Sequence, residues 1–466
     1  MKFFKKTTAA VMCTALTLTS VPAFAAQADG TPDVSVQLNG EEINFTDASP
    51  VIENGRTYVP FRAVFDALGT DTIEYDATTK TITAVQGDTT VKFTIGKSEM
   101  ELTKDGKTTT QAIDAATFIK NDRTYIPVRF AAQALDCQVG WDDDFKTVVL
   151  LDKDVLLDGI DNQFTLMNQY AKEALAVQKA NPGYTGTLNL KLKVKDDDTS
   201  YGITGTCDIK GKVDDTQSVV NSAVKLDLKD LEKALKAAEK LDEGSHDMIK
   251  ALGSFNFDVV INTKDGSLYI TSSLLSDIFS LADGTWFKLD LGDMLSQSGM
   301  NIDFSNLTNS TNYADVTKST LDSVDINNSY AVAAAVETAN MFKEAFSDEA
   351  FTKEGNNFVS NYTSTADGMT TSMKTTLYAD SAEKVTGCKI EATTDMGELG
   401  KMVISADYKD LKTAVNVSFD MMDTVSASVD GSISLTKSVP TVNAPTSKSE
   451  VKDLGEIFAA LLTTAE

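Results

Sequence analysis

The chain has 466 residues, 42% of them hydrophobic and 24% charged, with 68 Asp and Glu against 42 Lys and Arg for a net charge of −26. That length predicts two or three domains, and the acidic balance excludes nucleic acid and anionic membrane surfaces as partners, since both need cationic faces. A lone histidine, His246, leaves little of the imidazole on which metal centres and acid–base catalysts draw.

Residues 1–25 read as a secretory signal. Lys2, Lys5 and Lys6 precede an apolar run through Val11 and Met12 to Leu18, and Ala23-Phe24-Ala25 gives a small-x-small cleavage site. Losing those three lysines, with no acid among the first 25 residues, takes the charge from −26 to −29. Cys13 lies inside the apolar run without the flanks of a lipid-attachment site. No later run approaches the roughly 18 apolar residues that span a bilayer. The predicted location is secreted or extracellular, with non-covalent cell-wall association as one form of retention. Cys137, Cys207 and Cys388 remain, an odd number. A disulfide between Cys207 and Cys388 is one pairing the strand pattern allows; the alternative is three small buried apolar side chains.

Val34–Leu38 alternates as a strand, Asn39-Gly40 turns, and Ile43–Phe45 returns. The organising stretch follows. Asn54–Leu68 reads NGRTYVPFRAVFDAL, and 67 residues later Asn121–Leu135 reads NDRTYIPVRFAAQAL, with eight of fifteen positions identical. The shared residues include Arg56/Arg123, Tyr58/Tyr125, Pro60/Pro127 and Arg62/Arg129. The match continues into Glu74-Tyr75-Asp76 against Gly140-Trp141-Asp142, and Lys80-Thr81 against Lys146-Thr147. In each copy a strand runs to a proline, which lacks an amide hydrogen and hands over to a helix. Phe61, Val64, Phe65 and Leu68 form one apolar helix stripe, and Gly69 ends it. Each copy is expected to be a small sheet with one helix across it, repeat 1 over 34–86 and repeat 2 over 87–153. About 60 residues is near the lower limit for an independent core, which explains the fusion of two.

The hairpin, the N-G-R-T-x-V-P-x-R stretch, the helix ending in A-L-G and the W-D-x-x-x-K-T-V stretch together resemble the copper amine oxidase N-terminal-like, or stalk, domain. The resemblance covers 34–152. It departs from the usual pattern at Asp136, which replaces a helix-ending glycine, and at Tyr75, which stands for tryptophan. It implies a tandem stalk on an exported protein of Gram-positive bacteria. It does not carry over an oxidase, whose copper takes three histidines and whose quinone comes from an N-Y-D/E tyrosine. Asn312-Tyr313 is followed by Ala314 and Asn361-Tyr362 by Thr363.

From Leu157 the texture changes. An amphipathic helix over Ile160–Leu175 stops at Asn181-Pro182-Gly183. Leu188, Leu190, Leu192 and Val194 then alternate with Asn189, Lys191, Lys193 and Lys195, a half-buried strand. Ile203–Val213 and Val224–Leu228 continue it. A helix is expected over Asp230–Leu252, a hairpin over Phe255–Thr271, a strand at Thr285–Leu291 and a helix at Ala331–Phe346. Strands follow at Thr371–Ala379, Val385–Thr394, Met402–Lys409, Ala414–Phe419 and Val425–Val429. The predicted class is α+β: two repeated sheet-plus-helix modules, then a larger antiparallel, curved sheet with several helices over 155–435. Residues 436–466 read as a proline-containing linker with a terminal helix near Leu454–Leu462. The meander, with its D-G-x-W-F-K-L-D-L stretch at Asp283–Leu291, is similar in architecture, not in motif, to the LolA-like lipoprotein-carrier fold.

For function, the repeated Arg56, Arg62, Arg123 and Arg129 suggest either ion pairs that fix the strand-to-helix joint or twin sites for an anionic or hydroxylated wall polymer. Tyr58, Tyr125 and Trp141 read as core in preference to sugar platforms. The Asp142–Asp144 and Asp196–Asp198 clusters lack the calcium-loop spacing. His246, in a break within a helical region, reads as a solvated loop residue. No nucleophile elbow, phosphate loop or zinc-helix motif occurs, and no acid pair stands out. Neither catalytic residue, cofactor nor metal is predicted. The expected function is an exported non-enzymatic envelope protein, a scaffold or wall-polymer binder that contacts polymer or another envelope protein through the stalk. The alternative is a carrier of lipid or another apolar small molecule in the second sheet, lined by residues such as Leu190, Ile209, Phe257 and Phe287.

Overall fold

The computed structural model describes residues 34–454 apart from 197–198, 238–240, 263, 280, 292–310, 367 and 423. The signal segment with Cys13, Asp197-Asp198 and all of the expected terminal helix but Leu454 lie outside the described residues. The chain divides into two units. The first holds 34–158 with Thr320–Asn340, and the second holds the remainder.

In the first unit the strands are β1 (Ser35–Leu38), β2 (Glu41–Glu42), β3 (Val51–Glu53), β4 (Arg56–Pro60), β5 (Thr72–Asp76) and β6 (Thr81–Gln86). They continue as β7 (Thr89–Thr94), β8 (Glu99–Lys104), β9 (Lys107–Ala112), β10 (Phe118–Lys120), β11 (Arg123–Pro127), β12 (Gln138–Asp142) and β13 (Thr147–Leu151). Helices α1 (Phe61–Ala67), α2 (Val128–Ala134) and α3 (Lys153–Leu156) accompany them. The sheets run β12-β13-β1-β2, β10-β11-β4-β3 and β5-β6-β7-β8-β9. Every one mixes strands from before and after residue 87, so the expectation of one sheet per copy is corrected. The physical reason is core size. Exchange of strands lets residues from Val36 to Leu150 share one buried cluster, where 60 residues alone would bury too little. At the centre β4 and β11 are antiparallel, with Val59 opposite Ile126, two positions 67 apart in sequence.

Strand β13 (TVVLL) is buried at all five positions. Val148 and Leu150 face the main cluster. Val149 and Leu151 face a second one with Leu156, Leu321, Val332 and Val336. A strand covered on both faces reads as an unbroken apolar run, and the cover here is the Thr320–Asn340 segment.

The second unit is built on β14 (Gly183–Asp196), β15 (Thr199–Val213), β16 (Gln217–Asp227), β17 (Ser254–Asn262), β18 (Ser267–Ser272) and β19 (Trp286–Asp290). After them come β20 (Phe351–Glu354), β21 (Asn357–Ala366), β22 (Met369–Ala379), β23 (Val385–Asp395), β24 (Lys401–Lys409), β25 (Lys412–Met421), β26 (Val425–Thr436) and β27 (Val451–Asp453). They form one sheet ordered β20 through β26, then β14 through β19, then β27. The pairing of β26 with β14 joins the two meanders, and β19 with β27 is the parallel pair. The helices beyond residue 158 are α4 (Thr165–Ala180), α5 (Lys229–Ala237), α6 (Glu243–Gly253), α7 (Ser273–Phe279), α8 (Tyr313–Asp322) and α9 (Ser329–Phe346), with the residues of α8 and α9 that fall in 320–340 belonging to the first unit.

Three expectations need correction. The helix expected over Asp230–Leu252 is two, because Asp242 caps a new start by accepting from Ser245 N at 2.7 Å. His246 is therefore an exposed helical residue, not a loop residue. The stretch after 436 is more than a spacer. Val442 and Ala444 pack with Val219, Val260 and Trp286, and Asn443 exchanges hydrogen bonds with Asn221 at 2.6 and 3.0 Å.

Candidate functional site

The repeated arginines occupy matching places. Arg56 donates to Asp114 at 2.8 Å and Arg123 donates to Asp47, its second contact at 2.8 Å. Asp47 and Asp114 are themselves 67 apart, so the exchange is reciprocal. Lys120 adds a bond to Glu53 at 3.0 Å, again between positions 67 apart. Hydrogen bonds from the guanidinium groups hold the carboxyls of Asp47 and Asp114 below their ordinary range. Both arginines also donate to loop carbonyls, of Asn54 and Asp122, at 3.2 Å. Pro60 and Pro127 start α1 and α2 and pair with Tyr125 and Tyr58. Tyr58 and Tyr125 are 6% and 5% exposed and lie against Phe118, which leaves no open ring for a sugar. Arg62 lies over the Phe61 ring at 5.1 Å, and Arg62 and Arg129 are exposed.

Asp142 is 5% exposed. One oxygen accepts from the amides of Asp144 and Phe145 at 3.1 Å, and the other from Ser329 N at 2.9 Å and Ser329 Oγ at 2.7 Å. Its acceptor capacity is thus spent on fixing a turn and a helix start. Among the described residues no group of three or more His, Cys, Asp or Glu could hold a metal ion. The described carboxylates that shift, such as Asp47 and Asp76, shift downward through hydrogen bonds, the opposite of what a general acid requires.

The Cys207–Cys388 pairing does not form; all three described cysteines are free. Four strands lie between β15 and β23, roughly 24 Å across the sheet, far beyond disulfide reach. Burial, with Asp407 adding to it, pushes the Cys388 thiol up to about 12.

The second unit offers a site of another kind. Paired residues of an antiparallel ladder share a face, so register traces each face across the sheet. One row runs Met373, Ala392, Ile404, Val417, Val429 and Leu190. The next runs Met402, Phe419, Ala427, Leu192 and Ile203. The row on the reverse side reads Lys374, Glu391, Ser405, Asn416, Asp430 and Asn189. One face is apolar and the other polar over six strands, roughly 25 Å.

The apolar face is sealed at its ends. Leu377, Val385 and Cys388 are buried on one side, and Ile270 and Phe287 on the other. Between them no member of the two apolar rows is fully buried, and Val417 is 38% exposed. Half-buried apolar side chains over this extent make the face the candidate ligand surface. Of the four residues the sequence singled out, Leu190, Ile209 and Phe257 are half-buried, whereas Phe287 is fully buried and belongs to the packed end.

Residues 37–150 match the copper amine oxidase N-terminal domain family in a single stretch that takes in both copies. No curated protein matches the chain in sequence. Among solved structures, a DUF1329 family protein from Desulfovibrio piger matches over 57% of this chain and 91% of its own, at 7% identity and a TM-score of 0.19. A score that low establishes no common fold. Among the described residues no helix is long and apolar enough to cross a membrane.

Proposed function

We propose that this is an exported, non-enzymatic binding protein of the cell envelope. Its ligand, a lipid or another apolar molecule, lies on the apolar face of the long sheet. Residues 34–153 act as a duplicated stalk whose copies interlock and hold the sheet unit at the envelope. The observation that carries the reading is the run of two apolar register rows, from Met373 to Leu190 and from Met402 to Ile203, in which no side chain is fully buried. A ligand that covers them gains about 0.8 kcal/mol per methylene. The stalk match supports a supporting role for 37–150. Arg56, Arg123, Tyr58 and Tyr125, the first candidates for polymer contact, are engaged within their own unit. Export is supported by the signal pattern of residues 1–25.

Native mass spectrometry of the full mature chain, with titration of a dansylated fatty acid, tests the reading. Saturable uptake that falls at least tenfold in Val417→Asp and Phe419→Asp is expected, circular dichroism confirming that both fold. A clean ligand-free mass with no saturable uptake by the wild-type chain overturns it.

A further inference from the structure

Where the sheet's polar face carries Lys191, Lys193, Thr204, Ser418, Ser426 and Ser428, these residues line a hollow of about 580 Å³. Its floor is set by register. Lys191 is flanked by Thr204 and Ser428, and Lys193 by Gly202 and Ser426. The two lysines stand two residues apart on one strand, so their stems rise side by side about 7 Å apart. Both are exposed. Lys191 has a distant carboxylate, Asp430, at 3.7 Å, and among the described residues Lys193 forms no ion pair. Gly202 carries no side chain into the space, and the nearest atom a Cβ there would meet is Asp230 Oδ2 at 3.8 Å. Asp230 and Asp420 supply carboxylates at the lining.

The chemistry of this lining is specific. In a chain of net charge −26, two lysines on one face of one strand are set among hydroxyls on an uncrowded floor. Lysine takes phosphate as a point charge, hydroxyls donate to its free oxygens, and carboxylates accept from the hydroxyls of a polyol. We infer that this hollow is a second, independent binding site, for a phosphate ester of a polyol.

Calorimetric titration of the full mature chain with sn-glycerol 3-phosphate, inorganic phosphate and glycerol tests the inference. Glycerol phosphate is expected to bind saturably, about tenfold tighter than inorganic phosphate, with glycerol silent and affinity falling as salt rises. Lys193→Gln and Lys191→Gln are each expected to weaken it by roughly tenfold and to leave fatty-acid uptake unchanged. Absence of saturation, equal affinity for inorganic phosphate, or unaltered binding in the Lys191→Gln/Lys193→Gln double variant overturns it. Failure of fatty-acid uptake alone leaves this site standing.

Discussion

Gly140→Ala is the smallest change that tests why residues 320–340 belong to the first unit. A Cβ at Gly140 would stand 2.0 Å from the carbonyl oxygen of Ile326, 2.5 Å from its carbon and 3.1 Å from Asn327 N. These are backbone atoms, so no rotamer change relieves the clash. The turn must retreat by roughly 1.5 Å to reach ordinary contact distance. Gly140 is not in the left-handed region, so the backbone conformation itself accepts alanine and the cost is steric. The retreat breaks the contacts that fix the turn: Trp141 N to Asn327 Oδ1 at 3.2 Å, and the two bonds from Ser329 to Asp142. A hydrogen bond to a charged group is worth about 1.5–3 kcal/mol, which sets the loss near 3 kcal/mol. Packing of Leu321, Val332 and Val336 on Val149 and Leu151 is worth more, about 1.5–3 kcal/mol for each large side chain. The helix therefore stays while its start loosens. Calorimetry should show the first unit melting about 6–12 °C lower, at 2–4 °C per kcal/mol. Hydrogen exchange should quicken at the amides of Ser329–Val332. An unchanged melting temperature together with unchanged exchange would refute the steric reasoning.

Other outcomes follow from the same structure. Arg56→Ala and Arg123→Ala each remove a solvent-exposed ion pair and should leave the urea midpoint nearly unchanged, despite their prominence in sequence. Burial, aided by Asp152 and Asp136, pushes the Cys137 thiol up to about 12, as burial with Asp407 does for Cys388. In the native chain at pH 8 both should resist a thiol reagent that labels them after denaturation. These raised values favour the folded state below the ordinary thiol value near 9. Stability should then fall as pH rises from about 9 to 12, as a pH series of melting temperatures would show. Asn443→Ala keeps the main-chain bonds to Asn221 but removes the side-chain amide that donates to Asp258 at 2.8 Å, a carboxylate only 8% exposed. It should destabilise the second unit by about 1–3 kcal/mol, measured as a shift in urea midpoint.

The strands of both units were legible because period-two alternation is a local signal. Leu188 through Val194 reads the same in sequence and in burial. Strands β20 and β21 escaped notice because their outward positions, such as Asn361 and Thr363, are polar and only Phe358 and Tyr362 mark the apolar face. Pairing partners were not legible. Nothing local says that Arg56 meets Asp114 and not an acid of its own copy, although the shared 67-residue offset of Asp47 and Asp114 could have pointed to the exchange.

The docked segment illustrates the same limit from the other side. Val148–Leu151 is an uninterrupted apolar run, whereas its counterpart in Thr81–Gln86 places Thr83 and Val85 where Val149 and Leu151 stand. The first needs cover on both faces and the second does not, which is a physical reason for one docked helix and not two. Glu74, in the place of Gly140, would also obstruct the turn that Gly140 admits. The asymmetry between two nearly matched copies thus resides in three positions, each readable in the sequence once the question of what covers the outer face is asked. The apolar rows of the second unit pose that question again, and there, among the described residues, no comparable segment buries them fully.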